Sequence, residues 1–304
     1  PSRFDSLQRR TPRMADAPAP QRKPRDEELD VWGLTHAGLV RPVDEDHFLL
    51  GSLHKHLEVK ATSLPASHIF PGTDERLAFL AMVADGVGGR SAGEEASRLT
   101  LEAVTRYVSK SMQCYYQADA HADDFVDLLQ DAVMHSHEEV VAHAATSSEL
   151  RGMATTLTLW LGVWPWTFLV QVGDSRYYQY RHGALTQVTR DQTMAQELVD
   201  QGVMTRSVAF ASRWANILSS AIGGQQTAPV VTRIASDWEN IHLICTDGLT
   251  KHVDDARIAE RLRTMTSSRQ ACEALLQDAL DGGGSDNITI IVGRAVPRDE
   301  AEAT

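Results

Sequence analysis

The chain has 304 residues, 42% hydrophobic and 6% aromatic, and 29 Lys plus Arg against 41 Asp plus Glu give a formal net charge of −12. That length can bury one large core or two small ones without staples, and the acid excess argues against a broad basic face for a nucleic-acid backbone. Cys114, Cys245 and Cys272 show no CxxC spacing, which excludes a disulfide framework and a thiolate zinc site and fits a reducing, cytoplasmic setting.

Residues 1–25 hold seven basic residues, two acids and five of the eleven prolines. With so little to bury, residues 1–28 read as a disordered basic tail without the apolar run of a secretory signal. The tail's net +5 leaves −17 on residues 26–304. Strand-like runs follow at Val31–His36, Asp46–Leu50 and Leu77–Ala84, then at Thr155–Val163, Thr167–Val172 and Ser175–Tyr180, and last at Ile241–Cys245 and Asn287–Val292. Gly51–Arg76 is longer than a tight connection needs and predicts an extra hairpin or loop. Helical spacing marks Ala92–Lys110, where Ala96, Leu99, Ala103, Val104 and Val108 share a face, as well as Asp123–Ala145 and a region from Ala256 to about Leu280. Leu157–Val172 is apolar but is interrupted by Gly162 and Trp164-Pro165-Trp166. It falls short of the ~20 residues of a membrane span and reads as two strands and a turn. Short turns within 155–180 imply antiparallel pairing, and strands, helices and strands in succession predict an α+β sandwich over residues 29–297. Residues 298–304 read as an unstructured end.

Four aspartates stand beside small residues at strand ends: Asp85 before Gly86-Val87-Gly88-Gly89, Asp174 after Gly173, Asp247 before Gly248, and Asp286 after Gly282-Gly283-Gly284-Ser285. One Asp-Gly is most often a turn. Four carboxylates delivered to one point would repel each other unless cations neutralise them, and oxygen ligands without a matching His or Cys set suit Mg²⁺ or Mn²⁺ rather than zinc. Two such ions can share a carboxylate and activate water. His135 and His137 lie two apart on a predicted helix and do not share a face, so they read as exposed or capping residues. Cys245, inside an apolar strand, reads as a buried structural thiol. Trp160, Trp164 and Trp166 read as packing of a strand pair.

Six segments occur in the order seen in metal-dependent protein phosphatases of the 2C type: Arg41-Pro42-Val43-Asp44-Glu45-Asp46, Asp85-Gly86-Val87-Gly88-Gly89, Gly152-Met153-Ala154-Thr155-Thr156, Gly173-Asp174-Ser175-Arg176, Thr246-Asp247-Gly248-Leu249 and Ser285-Asp286-Asn287-Ile288-Thr289. Residues 30–294 resemble that family. The resemblance implies a four-layer α-β-β-α sandwich of two antiparallel sheets. It further implies a metal-dependent serine/threonine protein phosphatase that hydrolyses phosphoserine and phosphothreonine through a metal-activated water. By the same resemblance Asp85 bridges two Mn²⁺ or Mg²⁺ ions, Gly86 offers its carbonyl, and Asp247 and Asp286 complete one ion's ligands. Asp174, with Asp247, matches the residues of a weaker third metal. Glu45 and Asp46 match the pair that orients metal-bound waters, and Arg41 the guanidinium that grips the phosphate.

Val87 stands where eukaryotic members carry a His, which points to a bacterial-type enzyme and leaves the general acid unassigned. Asp44 replaces the usual bacterial Asn, with either a role in tuning the metal site or a place in solvent. Thr189-Arg190-Asp191-Gln192-Thr193 matches the start of the family's flap, while Ser212-Arg213-Trp214-Ala215-Asn216 departs from its far end, so substrate choice is expected to differ there. The implied partners are phosphoproteins made by a bacterial-type Ser/Thr kinase. The competing readings are a catalytically weak phosphoprotein-binding regulatory module and a two-metal nuclease. No metal aspartate is lost, against the first, and the acidic body lacks a basic groove, against the second.

Overall fold

The computed structural model describes residues 22–54, 57–63, 76–88, 91–115 and 122–298. In chain order they form β1 (Leu29–His36), β2 (His47–Leu53), β3 (Leu57–Thr62), β4 (Ala78–Ala84), β5 (Gly86–Val87), α1 (Ser91–Tyr115) and α2 (Ala122–Ala144). Then come β6 (Ala154–Thr155), β7 (Leu157–Val163), β8 (Trp166–Val172), β9 (Arg176–Arg181), β10 (Ala184–Gln187), α3 (Met194–Asp200) and α4 (Arg206–Phe210). The chain finishes with β11 (Val230–Ala235), β12 (Ile241–Cys245), α5 (Asp247–Thr250), α6 (Asp255–Arg263), α7 (Ser268–Asp281) and β13 (Ile288–Ala295).

One sheet runs β1-β13-β12-β9-β10 and the other β11-β8-β7-β4-β2-β3, with antiparallel pairing throughout and the short pair β5-β6 apart. Strand periodicity of two explains the layers. On β4, Leu80, Met82 and Ala84 pack with Ala96, Leu101 and Val104 of α1 and Leu129 and Val133 of α2. The alternate residues Phe79, Ala81 and Val83 meet Tyr177, Ile244 and Ile291 of the facing sheet. Beyond that sheet, Leu243, Ile288, Ile290 and Val292 pack with Ile258, Leu262, Ala271 and Leu275 of α6 and α7. The result is the expected α-β-β-α sandwich.

Several elements differ from expectation. The helical run 256–280 is two helices, because Ser267 leaves the helix in extended backbone and its hydroxyl accepts from Gln270 N, capping α7. Edge strands β10 and β11 were not foreseen, while Gly51–Arg76 contributes the extra hairpin, of β2 with β3, its residues 55–56 and 64–75 lying outside the described residues. The packed body also begins ahead of Leu29. Residues Asp26–Glu28 form a 3₁₀ turn, and Glu28, only 1% exposed, bonds the Arg22 guanidinium and the Arg25 backbone N–H. Residues 1–21 of the expected tail and 299–304 of the expected C-terminal end lie outside the described residues.

Arg261 and Arg257 of α6 both fork onto Asp278 of α7, with N–O distances of 2.7–2.9 Å. The two guanidiniums, Arg261 foremost, hold Asp278 well below the usual carboxylate range. A lowered folded-state pKa supplies stability that is present above the ordinary carboxylate pKa and lost as pH falls toward the folded value. Asp278→Asn is therefore expected to lower Tm at neutral pH and to flatten the loss of Tm between about pH 4 and pH 2, as read by scanning calorimetry. An unchanged acid limb would remove this pair from the stability account.

Candidate metal centre

Antiparallel register gathers the acidic residues at one end of the sandwich. Ala84, the last residue of β4, pairs with His47, the first of β2, so Asp85 and Asp46 emerge side by side. In the facing sheet Cys245 at the end of β12 pairs with Arg176 at the start of β9 and Ile290 near the start of β13, which brings Asp247, Asp174 and Asp286 to the same end. His36, closing β1, pairs with Ile288 and sends the loop that carries Arg41 and Glu45 there too. The Thr156 and Ser175 hydroxyls, 2.7 Å apart, tie the two sheets together beneath this cluster.

Each acid is held by its backbone or its neighbours. Thr155 Oγ1 and Thr156 N both donate to the Asp85 carbonyl, and Asp85 N donates to Thr156 Oγ1. At Gly86 an added Cβ would lie 2.4 Å from the Gly93 carbonyl oxygen and 2.6 Å from that of Glu45, so the backbone passes where no side chain fits. Asp46 is 2% exposed; Thr246 and Thr289 hydroxyls each donate to its Oδ2 at 2.8 Å, while its buried Oδ1 has no partner. Asn287 pins the Arg41 loop by accepting from Glu45 N and donating to the carbonyls of Ala37 and Val43. Arg41 Nε reaches Asp286 Oδ1 at 2.7 Å. Lys251 Nζ lies 2.7 Å from Asp247 Oδ2 and 2.6 Å from Asp286 Oδ2.

The electrostatics follow from this crowding. Burial, then the charges of Asp46, Asp247, Asp174 and Asp286, push Asp85 well above the carboxylate range. Burial and Asp44 do the same to Asp46, and burial with Asp247 pushes Asp174 up to about 8. Asp247 is raised by burial against the pull of Lys251, and Glu45 by burial. Asp286 alone of the set is lowered, because Lys251 and Arg41 outweigh its burial. Asp85, Asp174, Asp247 and Asp286 nevertheless keep some accessible surface.

The site contains more than the motif reading named. Thr246, Thr289, Thr156, Asn287 and Lys251 all act within quoted or adjoining motifs, and a hydroxyl or amide beside each aspartate was the available signal. Asp44 does not face solvent: its Oδ2 accepts from Thr35 Oγ1 at 2.7 Å and its Oδ1 from Asp46 N at 3.2 Å. Gly89 lies outside the described residues. His135, His137 and His143 are partnered elsewhere, His137 Nδ1 by Gly223 N and Thr227, His143 by Glu95 and His135 by Glu139. Cys245 is buried and its thiol is pushed up to about 12, so no thiolate nucleophile arises there.

Residues 68–282 match the family model described as Protein phosphatase 2C. The chain belongs to the protein phosphatase 2C family. The serine/threonine protein phosphatase PstP of Mycobacterium tuberculosis is 34% identical over 220 residues, covering 72% of this chain and 41% of PstP, so the chain spans less than half of that relative. The serine/threonine phosphatase stp of Listeria innocua is 28% identical over 214 residues, covering 70% of this chain and 83% of that one. A crystal structure of M. tuberculosis PstP/Ppp superimposes with a TM-score of 0.69 at 30% identity, covering 88% and 99% of the two chains. A PstP catalytic domain in complex with two manganese ions gives 0.67 at 30%, with the same coverage.

The protein phosphatase 2C family is metal-dependent, and the donor set of this member fits hard divalent cations. The donors are oxygens, they carry excess negative charge in a desolvated place, and Asp46 Oδ1 is left without a protein partner. Among the described residues no three His, Cys, Asp or Glu side chains are already drawn close enough to enclose an ion. Asp247 and Asp286 are instead drawn onto Lys251.

Proposed function

We propose that the chain hydrolyses phosphoserine and phosphothreonine monoesters in proteins with two Mn²⁺ or Mg²⁺ ions, opposing a bacterial-type Ser/Thr kinase in the cytoplasm, and that it does not act on nucleic acid. The observation that carries this reading is the set of desolvated aspartates at one end of the sandwich with Arg41 beside them. The catalytic unit is residues 29–297 with the packed turn that precedes it. Among the described residues no helix is long and apolar enough to cross a membrane.

Asp85, the Gly86 carbonyl, Asp247 and Asp286 would hold the ions, with Glu45 and Asp46 orienting water around them. A third, weaker ion would need Asp174 with Asp247, a carboxylate that already bears Lys251. When bound, the ions supply Lewis-acid charge to the phosphoryl oxygens and activate water. Arg41 spends its Nε on Asp286 and keeps its terminal nitrogens for two phosphate oxygens, a bidentate grip whose direction the Asn287-pinned loop fixes. Thr246 and Thr289 keep Asp46 ionisable and immobile by donating to one of its oxygens. The Arg176 guanidinium, on Asp191 at 2.7 and 2.9 Å, and the Gln192 contacts with Gly173 anchor the flap helices α3 and α4 next to Asp174.

The test is hydrolysis of an aryl phosphate and of a phosphothreonine peptide with Mn²⁺, with and without chelator. Metal-dependent turnover of both is expected. Turnover that survives chelation would overturn the mechanism, and peptide binding without turnover would favour a regulatory module. Trp214, in the 3₁₀ turn Arg213–Asn216 that follows α4, lies under the Arg213 guanidinium at 4.6 Å. Trp214→Ala is expected to raise KM for the peptide several-fold more than KM for the aryl phosphate; equal effects would deny the flap a part in substrate choice.

A further inference from the structure

Lys251 follows the single turn of α5, and its own backbone N–H donates to the Asp247 carbonyl at 2.8 Å, so its side chain springs from a fixed point beside the carboxylates. The ammonium makes two short charge-assisted contacts, at 2.7 Å to Asp247 and 2.6 Å to Asp286, and Asp174, brought near Asp247 by the pairing of Arg176 with Cys245, forms no ion pair with it but lies within its field. Each contact uses Oδ2. Asp247 Oδ1 is thereby left for an ion, whereas Asp286, with Arg41 on its Oδ1, would have to release one of its two cationic partners to ligate one.

Charge counting sharpens this. Seven carboxylates, Glu45, Asp46, Asp85, Asp174, Asp247 and Asp286 with Asp44 behind Asp46, face two cationic side chains, Arg41 and Lys251. Two divalent ions neutralise four of the five negative charges left over. A third ion would make the centre positive and would have to sit beside an ammonium that already holds one of its ligands.

We infer that the Lys251 ammonium takes the place a third divalent ion would occupy beside Asp174 and Asp247, so that this centre is complete with two ions. The inference rests on the metal-centre reading above. A tethered ammonium is not removed by a chelator or diluted away, so that part of the positive charge is present at any metal concentration.

The experiment counts Mn²⁺ bound to the full chain by equilibrium dialysis with elemental analysis, and by titration calorimetry. The native chain and Lys251→Arg are expected to bind two ions and no more through millimolar Mn²⁺. Lys251→Ala, and Lys251→Met, which keeps the apolar stem, are expected to bind three. Adding Asp174→Asn to Lys251→Ala should return the count to two. Three ions on the native chain, or two on both uncharged variants, would overturn the inference and leave the two-ion centre standing. No Mn²⁺ on the native chain would remove the metal reading, and this inference with it.

Discussion

Asp85→Asn is expected to abolish Mn²⁺-dependent hydrolysis and, in the same protein without metal, to raise Tm. Asp85 takes the charges of four other aspartates in a place where burial already opposes ionisation. The carboxylate is costly to the bare fold and useful only when cations face it. An amide of the same shape keeps the backbone contacts of residue 85 with Thr155 and Thr156, so the turn survives. Loss of a carboxylate proposed to hold the ions should lower kcat at least about 10³-fold, which is about 4 kcal/mol of barrier. Relief of like-charge crowding should raise the metal-free Tm by about 2 °C or more. Added Mn²⁺ should then stabilise the native chain, as any ligand of the folded state does, and the variant much less. Turnover within tenfold of native, or a metal-free Tm that falls, would remove Asp85 from the centre. Asp247→Asn is a weaker version of the same experiment, because Lys251 offsets part of that carboxylate's cost and loses a partner in the variant.

What could be read from the chain divides along physical lines. The central strands β4, β7, β8 and β12 and the long helices α1 and α2 bury whole faces, and burial writes itself into residue type at a period of two or 3.6. Edge strands β10 and β11 are half-exposed along their length, so composition hardly separates them from loops. Helix α5 is a single turn and has no period to detect. The aspartates were legible because each ends or opens an apolar strand. Lys251 was not, since its meaning comes from Asp286, 35 residues away in sequence. Asp44 could equally have pointed to solvent until Thr35, on the neighbouring strand, supplied its hydroxyl. Residues Arg22–Glu28 look like solvated charge, and only the folded chain brings Trp238 under the Arg22 guanidinium, 4.8 Å away.

Gly248→Ala is expected to cost more than any surface change near the site and to do so through geometry. An Asp-Gly pair in sequence suggests a turn that needs a left-handed glycine, but Gly248 lies inside α5 and is not among the residues with positive φ. Its requirement is space. A Cβ there would stand 1.8 Å from the Asn287 carbonyl oxygen and 2.8 Å from its carbonyl carbon, both backbone atoms that cannot swing aside. Asn287 is also the residue that pins the Arg41 loop through Glu45, Ala37 and Val43. Relieving the clash must therefore push α5 away from the start of β13, separating Asp247 from Asp286, or drag the loop with it. A stability loss of about 3 kcal/mol is expected from forced displacement in a packed core, together with loss of Mn²⁺ binding in whatever fraction remains folded. Gly183→Ala is the control, since a Cβ there meets nothing within 4 Å although its φ of +83° carries backbone strain. The control should lose stability but keep native Mn²⁺ affinity. If Gly248→Ala keeps native affinity as well, the close packing of α5 on Asn287 is not what sets the spacing of the two carboxylates.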